Sequence, residues 1–364
     1  MANERKKKVK ENPRDKRFPE RNPDGGGSGG FMPVAGPGSG GVMPWASPGS
    51  GGVFPVAGPR AMRFPNGAMR GLGWVKEHPD QRDADPRQVA EKWESDKKTT
   101  DPVKRAMFET HKRAMQGVNA LAQGKESLPS TVDWRGGCSP VEDQDVLGSC
   151  SAHAAIGMLE YMERITHGKH IDASHLFLYK VTRNLMGVTG DTGGYLRTVM
   201  KALALFGLPP ASCWPYHIPS FDIEPAPFVY SYAANYKALQ YLRMDPLGFS
   251  RQDVLDYVRA ALAKHFTVMF GFVVYANIEG PDIPFPSRAD AVVGGHAVLA
   301  VGYDDKYPNI GTPNNGALII RNSWGEAWGD EGYGYLPYDY VLQGLAGDFW
   351  TCLSHSWVDT GVFD

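Results

Sequence analysis

Residues 148–165 read Gly-Ser-Cys-Ser-Ala-His-Ala-Ala-Ile-Gly-Met-Leu-Glu-Tyr-Met-Glu-Arg-Ile, and their apolar side chains recur at the spacing of an α-helix. The run predicts a helix from about Ser149 to Ile165 that ends near Gly168. Cys150 then lies in the first turn, where free backbone N–H groups and the helix dipole favour an anion. We therefore expect the Cys150 thiol to titrate at low pH and to be a candidate nucleophile.

The segments that follow divide this part of the chain into a helical half and a strand half. Helices are expected over 175–184 and 195–206. After residue 266, short runs rich in Val, Ile and Tyr are separated by Gly, Pro, Asn and Asp. Helices followed by strands indicate the α+β class, with two subdomains that face one another. The predicted strands cover 268–275, 297–303, 317–321 and 332–336.

The composition predicts a globular protein with at least one large core. With 364 residues, 42% hydrophobic and 21% charged, the chain is neither wholly disordered nor fibrous. No apolar stretch has the length of a membrane span, and the charged first twenty residues do not fit a secretory signal. We therefore expect a cytoplasmic protein with no membrane partner, with export by an unconventional route left open. The cysteines are scattered and predict free thiols: Cys138, Cys150, Cys213 and Cys352.

The region before residue 128 differs from the rest in charge. Residues 1–127 carry 23 Lys+Arg and 15 Asp+Glu, and residues 128–364 carry 15 and 25, so their net charges are +8 and −10. We expect the two regions to attract each other. The total of −2 gives no indication of a nucleic-acid partner. The boundaries predicted from composition are a charged tail over 1–24, a Gly/Pro-rich linker over 25–83 that contains repeats of eleven residues, a helical segment over 84–127 and a main domain over 128–364.

Two helices are expected between residues 84 and 123, because Asp-Pro pairs suit the first turn of a helix. In the second, one face is apolar and therefore needs a surface to pack on. We expect that surface to belong to the following domain. The face consists of Met107, His111, Ala114, Val118 and Leu121.

Three further polar residues have the chemistry that a cysteine nucleophile requires. His296 stands at the head of an apolar strand after two glycines, and Asn322 ends another apolar strand. The Asn322 amide could fix the tautomer of the His296 ring. Gln144, six residues before Cys150, could donate an N–H to an oxyanion. His153, one helical turn after Cys150, is an alternative base, although no second residue supports it.

Taken together, these motifs resemble the papain-like cysteine peptidases. The matching stretches include Gln144 to Cys150, Gly193-Gly194, Gly295 to Val298, and Asn-Ser-Trp-Gly at 322–325. The resemblance covers roughly residues 128–350. It implies a two-subdomain fold, with a helical left subdomain and an antiparallel, β-barrel-like right subdomain, preceded by a long N-terminal extension.

The resemblance also implies the role of each site residue. Cys150 would be the nucleophile, His296 its acid and base, Asn322 the residue that orients His296, and Gln144 a donor to the oxyanion hole. Trp324 would shield the His296–Asn322 hydrogen bond and border the substrate. The other substrate-binding positions implied are Gly193, Gly194, Gly295 and Ala297.

Several positions depart from the family pattern and indicate a divergent, microbial branch. Ser151 replaces the usual Trp after the nucleophile, and Leu147 replaces a half-cystine. Gly295 replaces a frequent Asp or Asn. Residues 84–127 occupy the place of the family's inhibitory propeptide without matching its sequence.

The function predicted from the sequence is that of a cysteine peptidase that cleaves peptide bonds through an acyl-thioester. We expect it to be made in a latent form, held by its own N-terminal segment as an intramolecular inhibitor. A monomer that acts on peptides or proteins, without cofactor or metal, is expected. The alternatives are a catalytically silent papain-like binding scaffold and a cysteine transamidase or exopeptidase.

Overall fold

The computed structural model describes residues 60–64, 67–87, 89, 102–308, 310–312 and 314–357. The predicted charged tail and the eleven-residue repeats lie outside the described residues. Within the described part of the chain, no helix combines the length and the apolar character needed to cross a membrane.

Helices dominate the first half of the main domain. The helix that follows the opening Gly-Ser-Cys motif begins at Cys150 and ends where Gly168 adopts a left-handed conformation, with φ of 69°. A capping box between Ser250 and Asp253 begins a later helix. The helices are α1 (Pro102–Ala122), α2 (Cys150–His167), α3 (His175–Met186), α4 (Leu196–Leu205), α5 (Pro227–Ala233), α6 (Arg251–Ala263) and α7 (Asp339–Leu342).

The second half is built on a sheet in which all described strand pairs are antiparallel. Its strands run in the order β4-β9-β5-β6-β7-β8, and β3 pairs with β6. A separate hairpin, β1 with β2, precedes them. The strands are β1 (Arg60–Arg63), β2 (Met69–Leu72), β3 (Thr131–Asp133), β4 (Tyr236–Arg243), β5 (Val268–Tyr275), β6 (Val292–Asp304), β7 (Ala317–Arg321), β8 (Tyr333–Pro337) and β9 (Ala346–Trp357).

Two hydrophobic cores result from this division. One is formed by the sheet together with α1 and α6, and it includes Trp324. The other surrounds α2, α3 and α4, and it includes Cys150 and Ala297. The residues selected from the sequence therefore lie where the helical and the sheet cores meet, since α2 packs against β6.

The α+β class predicted from the sequence is confirmed. The helices and strands predicted after residue 148 are present, and their first and last residues differ slightly from those expected. The region before residue 266 is less purely helical than expected, because β4 lies within it. The predicted linker over 25–83 contains β1 and β2 in its described part. Of the first helix expected after residue 84, only residues 86, 87 and 89 are described, and all three are helical.

The second expected helix is α1, and it packs on α6. Val118 and Leu121 of the predicted apolar face are buried, as is Met115, which the pattern did not include. His111 is also buried, whereas Ala114 is half-buried. The helix therefore does find its apolar surface on the following domain.

Candidate active site

The candidate nucleophile and base come together where α2 packs against β6. Cys150 is the first residue of α2, and His296 lies within β6. The backbone N–H of Ala297 donates to Cys150 Sγ at 3.4 Å. Both Cys150 and His296 are 0% exposed. The structure thus brings the thiol and the β6 histidine into one buried site.

Asn322 sets the protonation pattern of the His296 ring. His296 Nε2 lies 2.7 Å from Asn322 Oδ1, which also accepts the backbone N–H of Ser323. An amide oxygen only accepts, so Nε2 carries the hydrogen and Nδ1 holds the lone pair. Nδ1 is buried and has no hydrogen-bond partner among the described residues. A free lone pair is what a general base for the thiol needs.

Trp324 covers the same ring from one face. Its indole stacks on His296 with ring centroids 4.5 Å apart, and it is 1% exposed. Phe64 and Trp328 pack edge-on against the indole, each at 5.3 Å. Trp324 therefore covers one face of the His296 ring in the buried site. Phe64, which packs on the indole, belongs to the N-terminal region.

Gln144 presents its amide N–H groups to backbone carbonyls. Its Oε1 accepts a hydrogen bond from Ser323 Oγ, which orients the amide. Its Nε2 donates to the carbonyl oxygens of Leu147 at 2.8 Å and Gly71 at 2.9 Å. Gly71 belongs to the N-terminal region. The amide expected in the oxyanion hole is thus already bonded to a carbonyl of an extended segment.

That extended segment, residues 69–75, occupies the cleft beside the candidate residues, and we call it the cleft segment. The N–H of Trp74 donates to the Gly295 carbonyl at 3.0 Å, and the N–H of Gly194 donates to the Gly73 carbonyl at 2.8 Å. Trp74 and Gly194 form a parallel β-bridge. The backbone groups of Gly194 and Gly295 that were predicted to bind substrate therefore bind the chain itself.

Glycines on both sides permit this close approach. A Cβ on Gly73 would lie 1.9 Å from the Gly148 carbonyl oxygen, and a Cβ on Gly271 would lie 2.0 Å from the Trp74 ring. Trp74 is buried, and its Nε1–H donates to Asp348 at 3.3 Å. The segment fits only because these positions lack side chains.

Two other predicted substrate-binding residues make different contacts from those expected. The Gly193 N–H donates to the Tyr179 hydroxyl at 3.0 Å, so Gly194 alone of this pair offers its backbone to the cleft segment. Ala297 is fully buried, and its N–H is used by Cys150. Ala297 thus contacts the nucleophile rather than lining an open pocket.

Burial raises the pKa of the Cys150 thiol to about 11, which corrects the low value expected from its place at a helix start. Backbone N–H groups of Ala297, Gly73 and Ser151 face the sulfur and oppose this effect, but desolvation is larger. Burial likewise lowers the pKa of His296 to about 4, against the effect of its amide partner. At neutral pH the covered site holds a neutral thiol and a neutral imidazole.

Charged contacts between the N-terminal region and the rest of the chain also differ from the expected pattern. Arg197 of α4 pairs with Glu77 and, at 2.7 Å, with Asp83. These pairs join acidic N-terminal residues to a basic residue of the main domain. Arg70 with Asp143, at 2.8 Å, has the expected polarity. Net charge did not predict the pairing, because contacts depend on individual neighbours and more distant charges are screened.

The positions that depart from the family pattern have local explanations. Ser151 Oγ is buried and lies 2.9 Å from the place of a Cβ on Gly194, so a bulky residue would not fit there without a shift. Leu147 is buried, and all four cysteines are free thiols, as expected. His153, the alternative base, bonds through Nδ1 to the Ser149 carbonyl at 3.1 Å and stacks on His175.

Comparison with known proteins defines the class to which this fold and site belong. Residues 128–343 match the family model described as "Papain family cysteine protease". That match covers more than half of the chain, and the chain belongs to this family. It is accordingly a papain-type cysteine endopeptidase with the papain-like α+β fold.

Individual relatives lie at some distance. An uncharacterized peptidase C1-like protein, L477, of Acanthamoeba polyphaga mimivirus is 30% identical over 291 residues, which cover 77% of this chain and 86% of the viral protein. Papain of Carica papaya is 27% identical over 218 residues, 58% of this chain and 56% of that protein. The crystal structure of xylellain, a cysteine protease from Xylella fastidiosa, superposes with a TM-score of 0.58 at 29% identity and covers 77% of this chain and 95% of that one.

These similarities support the divergent microbial branch inferred from the departures in the motifs. They do not favour the binding-scaffold, transamidase or exopeptidase alternatives. The chain spans little more than half the length of papain, although it covers most of the viral relative.

Proposed function

We propose that this cysteine peptidase is made in a latent form that its own cleft segment holds closed. One observation carries the proposal: the segment uses the same groups that a peptide substrate would need. It bonds to the amide of Gln144 and to the backbone of Gly194 and Gly295. While these groups are occupied, a substrate has no donors or acceptors to bind.

The contact at the sulfur is made by an N–H group of the cleft segment. The group that faces Cys150 Sγ is the N–H of Gly73, which is a donor. Thiolate attack requires a carbonyl carbon next to the sulfur and a donor to its oxygen. The Gly73 carbonyl instead accepts from Gly194. The group of the segment that faces the sulfur is therefore a hydrogen-bond donor, and the Gly73 carbonyl is bonded elsewhere.

Departure of the segment would activate the dyad. With water readmitted, the desolvation that holds the Cys150 pKa near 11 is removed. The Cys150 proton then moves to His296 Nδ1, while Asn322 holds the Nε2 hydrogen and supports the imidazolium. The product is a thiolate beside an imidazolium.

Catalysis then follows the acyl-transfer sequence. The Cys150 thiolate attacks the substrate carbonyl carbon, and Gln144 donates its freed N–H to the developing oxyanion. His296 gives its proton to the leaving amine as the C–N bond breaks, which leaves an acyl-thioester on Cys150. Water attacks the thioester after giving a proton to His296 and releases the acid. The C–S bond breaks as the acid leaves, which returns the Cys150 thiolate beside the protonated His296.

The proposal is tested by opening the cleft from within the full chain. Gly73→Val adds atoms where even a Cβ would lie 1.9 Å from the Gly148 carbonyl oxygen. Overpacking costs about 1–3 kcal/mol, so we expect roughly a 10- to 100-fold rise in the initial rate of hydrolysis of a fluorogenic peptide. Gly136→Ala is the matched control, because a Cβ there meets no atom within 4 Å.

Cys150→Ala combined with Gly73→Val must abolish the gain, which ties it to this nucleophile. If Gly73→Val and Gly136→Ala hydrolyse the peptide at the same rate as the unaltered chain, the closed form described here is not what limits activity. The cytoplasmic location and the monomeric state stay predictions.

A further inference from the structure

A second cluster of ionisable side chains lies apart from the catalytic residues. Glu142 in the loop before α2, His153 within α2 and His175 at the start of α3 each offer one metal-ligand atom, and these atoms lie within 4.8 Å of one another. The two imidazole rings stack at 4.2 Å. Both histidines are buried, whereas the Glu142 side chain is 36% exposed. The three residues border a cavity of about 260 Å³.

The ring of His153 is arranged as in a metal-binding imidazole. Its Nδ1 lies 3.1 Å from the carbonyl oxygen of Ser149, one turn earlier in the chain. A carbonyl only accepts, so Nδ1 carries the hydrogen and Nε2 holds an unshared electron pair. Histidines that bind metals commonly donate their second ring N–H to a carbonyl in this way, which fixes the tautomer and the ring plane.

The contact between His175 and Glu142 has the distance of an ion pair without the direction of a hydrogen bond. His175 Nε2 lies 2.6 Å from Glu142 Oε2. The same nitrogen has no hydrogen-bond partner of acceptable geometry among the described residues. The oxygen is therefore displaced from the N–H axis. His175 Nε2 and Glu142 Oε2 are thus close together without a hydrogen bond along the N–H direction. Two ligands of one metal ion have this relation.

We propose that Glu142, His153 and His175 form a binding site for a divalent transition-metal ion, for which Zn²⁺ is the best fit. Two imidazole nitrogens and one carboxylate are a zinc donor set, completed to four by water or another oxygen. Zinc bonds of 2.0–2.1 Å with tetrahedral angles place donor atoms about 3.3 Å apart. Here His175 Nε2 and Glu142 Oε2 are 2.6 Å apart, and all the donor atoms lie within 4.8 Å of one another. Asp172 also borders the cavity, and its carboxylate is the candidate for the fourth oxygen.

Such an ion would tie together the parts of the chain that carry the catalytic groups. Glu142 lies two residues before Gln144, and His153 lies three residues after Cys150. The metal would act as a cross-link between this loop, α2 and α3. The inference does not depend on the proposed latent form, because none of the three ligands contacts the cleft segment in its described bonds. Sequence spacing did not reveal the site, since its ligands are 11 and 22 residues apart.

The test uses the full chain with Cys150→Ala, because a catalytic thiol beside an imidazole binds Zn²⁺ by itself. After removal of metals by a chelator, calorimetric titration with ZnCl₂ is expected to show one site per chain. Saturating Zn²⁺ should raise the melting temperature by roughly 5 °C. Co²⁺ should give the visible absorption bands of a tetrahedral ion.

Glu142→Gln, His153→Gln and His175→Gln, each in the same background, keep side-chain volume and should lose the binding and the thermal shift. His217→Gln removes an exposed histidine outside the cluster and should retain both. Circular dichroism of each metal-free variant shows whether it is folded, and Glu142→Gln is the decisive variant if a buried histidine change unfolds the chain. Absence of Zn²⁺ binding in the Cys150→Ala chain overturns the proposal. Binding that survives Glu142→Gln and both histidine changes overturns it equally.

Discussion

The N-terminal region contains two parts of opposite character, the cleft segment and helix α1. The helix was predicted from its apolar face, and it packs on α6, away from the candidate catalytic residues. The cleft segment has no regular pattern, yet it bonds to Gln144, Gly194 and Gly295. Helix α1, which the sequence predicted, therefore packs the N-terminal region onto the main domain. The cleft segment, which the sequence did not predict, contacts the candidate site.

The largest expected difference between the closed and the opened chain lies in the reactivity of the thiol. In the closed form burial raises the pKa of Cys150 to about 11, so at pH 7 the thiol is almost entirely protonated. Alkylation by iodoacetamide should therefore increase steadily with pH up to and beyond pH 9. A chain that carries both Gly73→Val and Trp74→Ala, with costs of about 1–3 and 3–5 kcal/mol in the cleft, should react at least about 10³-fold faster at pH 7 and reach its plateau below neutral pH. Rates from intact-mass spectrometry over pH 5–10 would show either two profiles or one shared profile, and a shared one contradicts this interpretation.

The next largest effect separates the two parts directly. Trp74→Ala removes a buried indole from the cleft, and such a change costs about 3–5 kcal/mol of packing. We expect Cys150 alkylation at pH 7 to accelerate by roughly 10² to 10³-fold. Met115→Ala in α1 removes a fully buried side chain and should lower the melting temperature with little change in alkylation. Equal acceleration by both changes would mean that the helix and the segment open as one unit.

A smaller effect on kcat/KM separates two causes of low activity, the presence of the cleft segment and the loss of a residue that supports His296. Asn322→Ala removes the acceptor that holds the Nε2 hydrogen of His296. In the opened Gly73→Val background, kcat/KM for a peptide should fall by about 10- to 100-fold, while the rate of segment opening is unchanged. Steady-state kinetics with and without the Asn322 change gives the ratio. Asn322→Gln is the control for the loss of the amide itself, and an unchanged kcat/KM would remove Asn322 from the mechanism.

The smallest expected effect concerns charge. Arg197→Met breaks the partly buried pairs with Glu77 and Asp83 and should increase opening by about tenfold. Arg70→Met breaks the more exposed pair with Asp143 and should change opening by less than about threefold. Peptide hydrolysis at low salt measures both. If Arg70→Met has the greater effect, the attraction between oppositely charged regions matters more than the individual buried pairs.

The sequence was sufficient for the family, because the chemistry and the order of Gln144, Cys150, His296 and Asn322 along the chain identify it. It was also sufficient for α2, α3 and α4, whose apolar faces are regular. It was not sufficient for β4 and β9. These strands pair with each other and mix Lys, Gln, Ser and His among their apolar residues, so their burial depends on a partner more than 100 residues away.

The cleft segment could not be predicted for a related reason. Gly71-Leu72-Gly73-Trp74 has no strong preference for a regular element. Its first two residues pair with β1, and the conformation of Gly73 and Trp74 is set by contacts with the walls of the cleft. The alternation of Gly with two bulky apolar residues was the feature of the sequence that could have indicated a segment packed closely against another part of the chain. The pKa of the Cys150 thiol could not be predicted for the same reason. The start of a helix favours a thiolate, but burial of the sulfur has the larger effect, and part of that burial comes from residues distant in the sequence.

The contact of Trp74 with Gly271 has a consequence for the open enzyme. The indole lies against a position without a side chain, and its Nε1–H reaches the buried Asp348. When the cleft segment leaves, it vacates a flat recess walled by glycine, with an acceptor carboxyl group at its floor. The shape left behind is complementary to an aromatic ring that bears a hydrogen-bond donor. Trp74 thus indicates the kind of substrate side chain that this recess would accept.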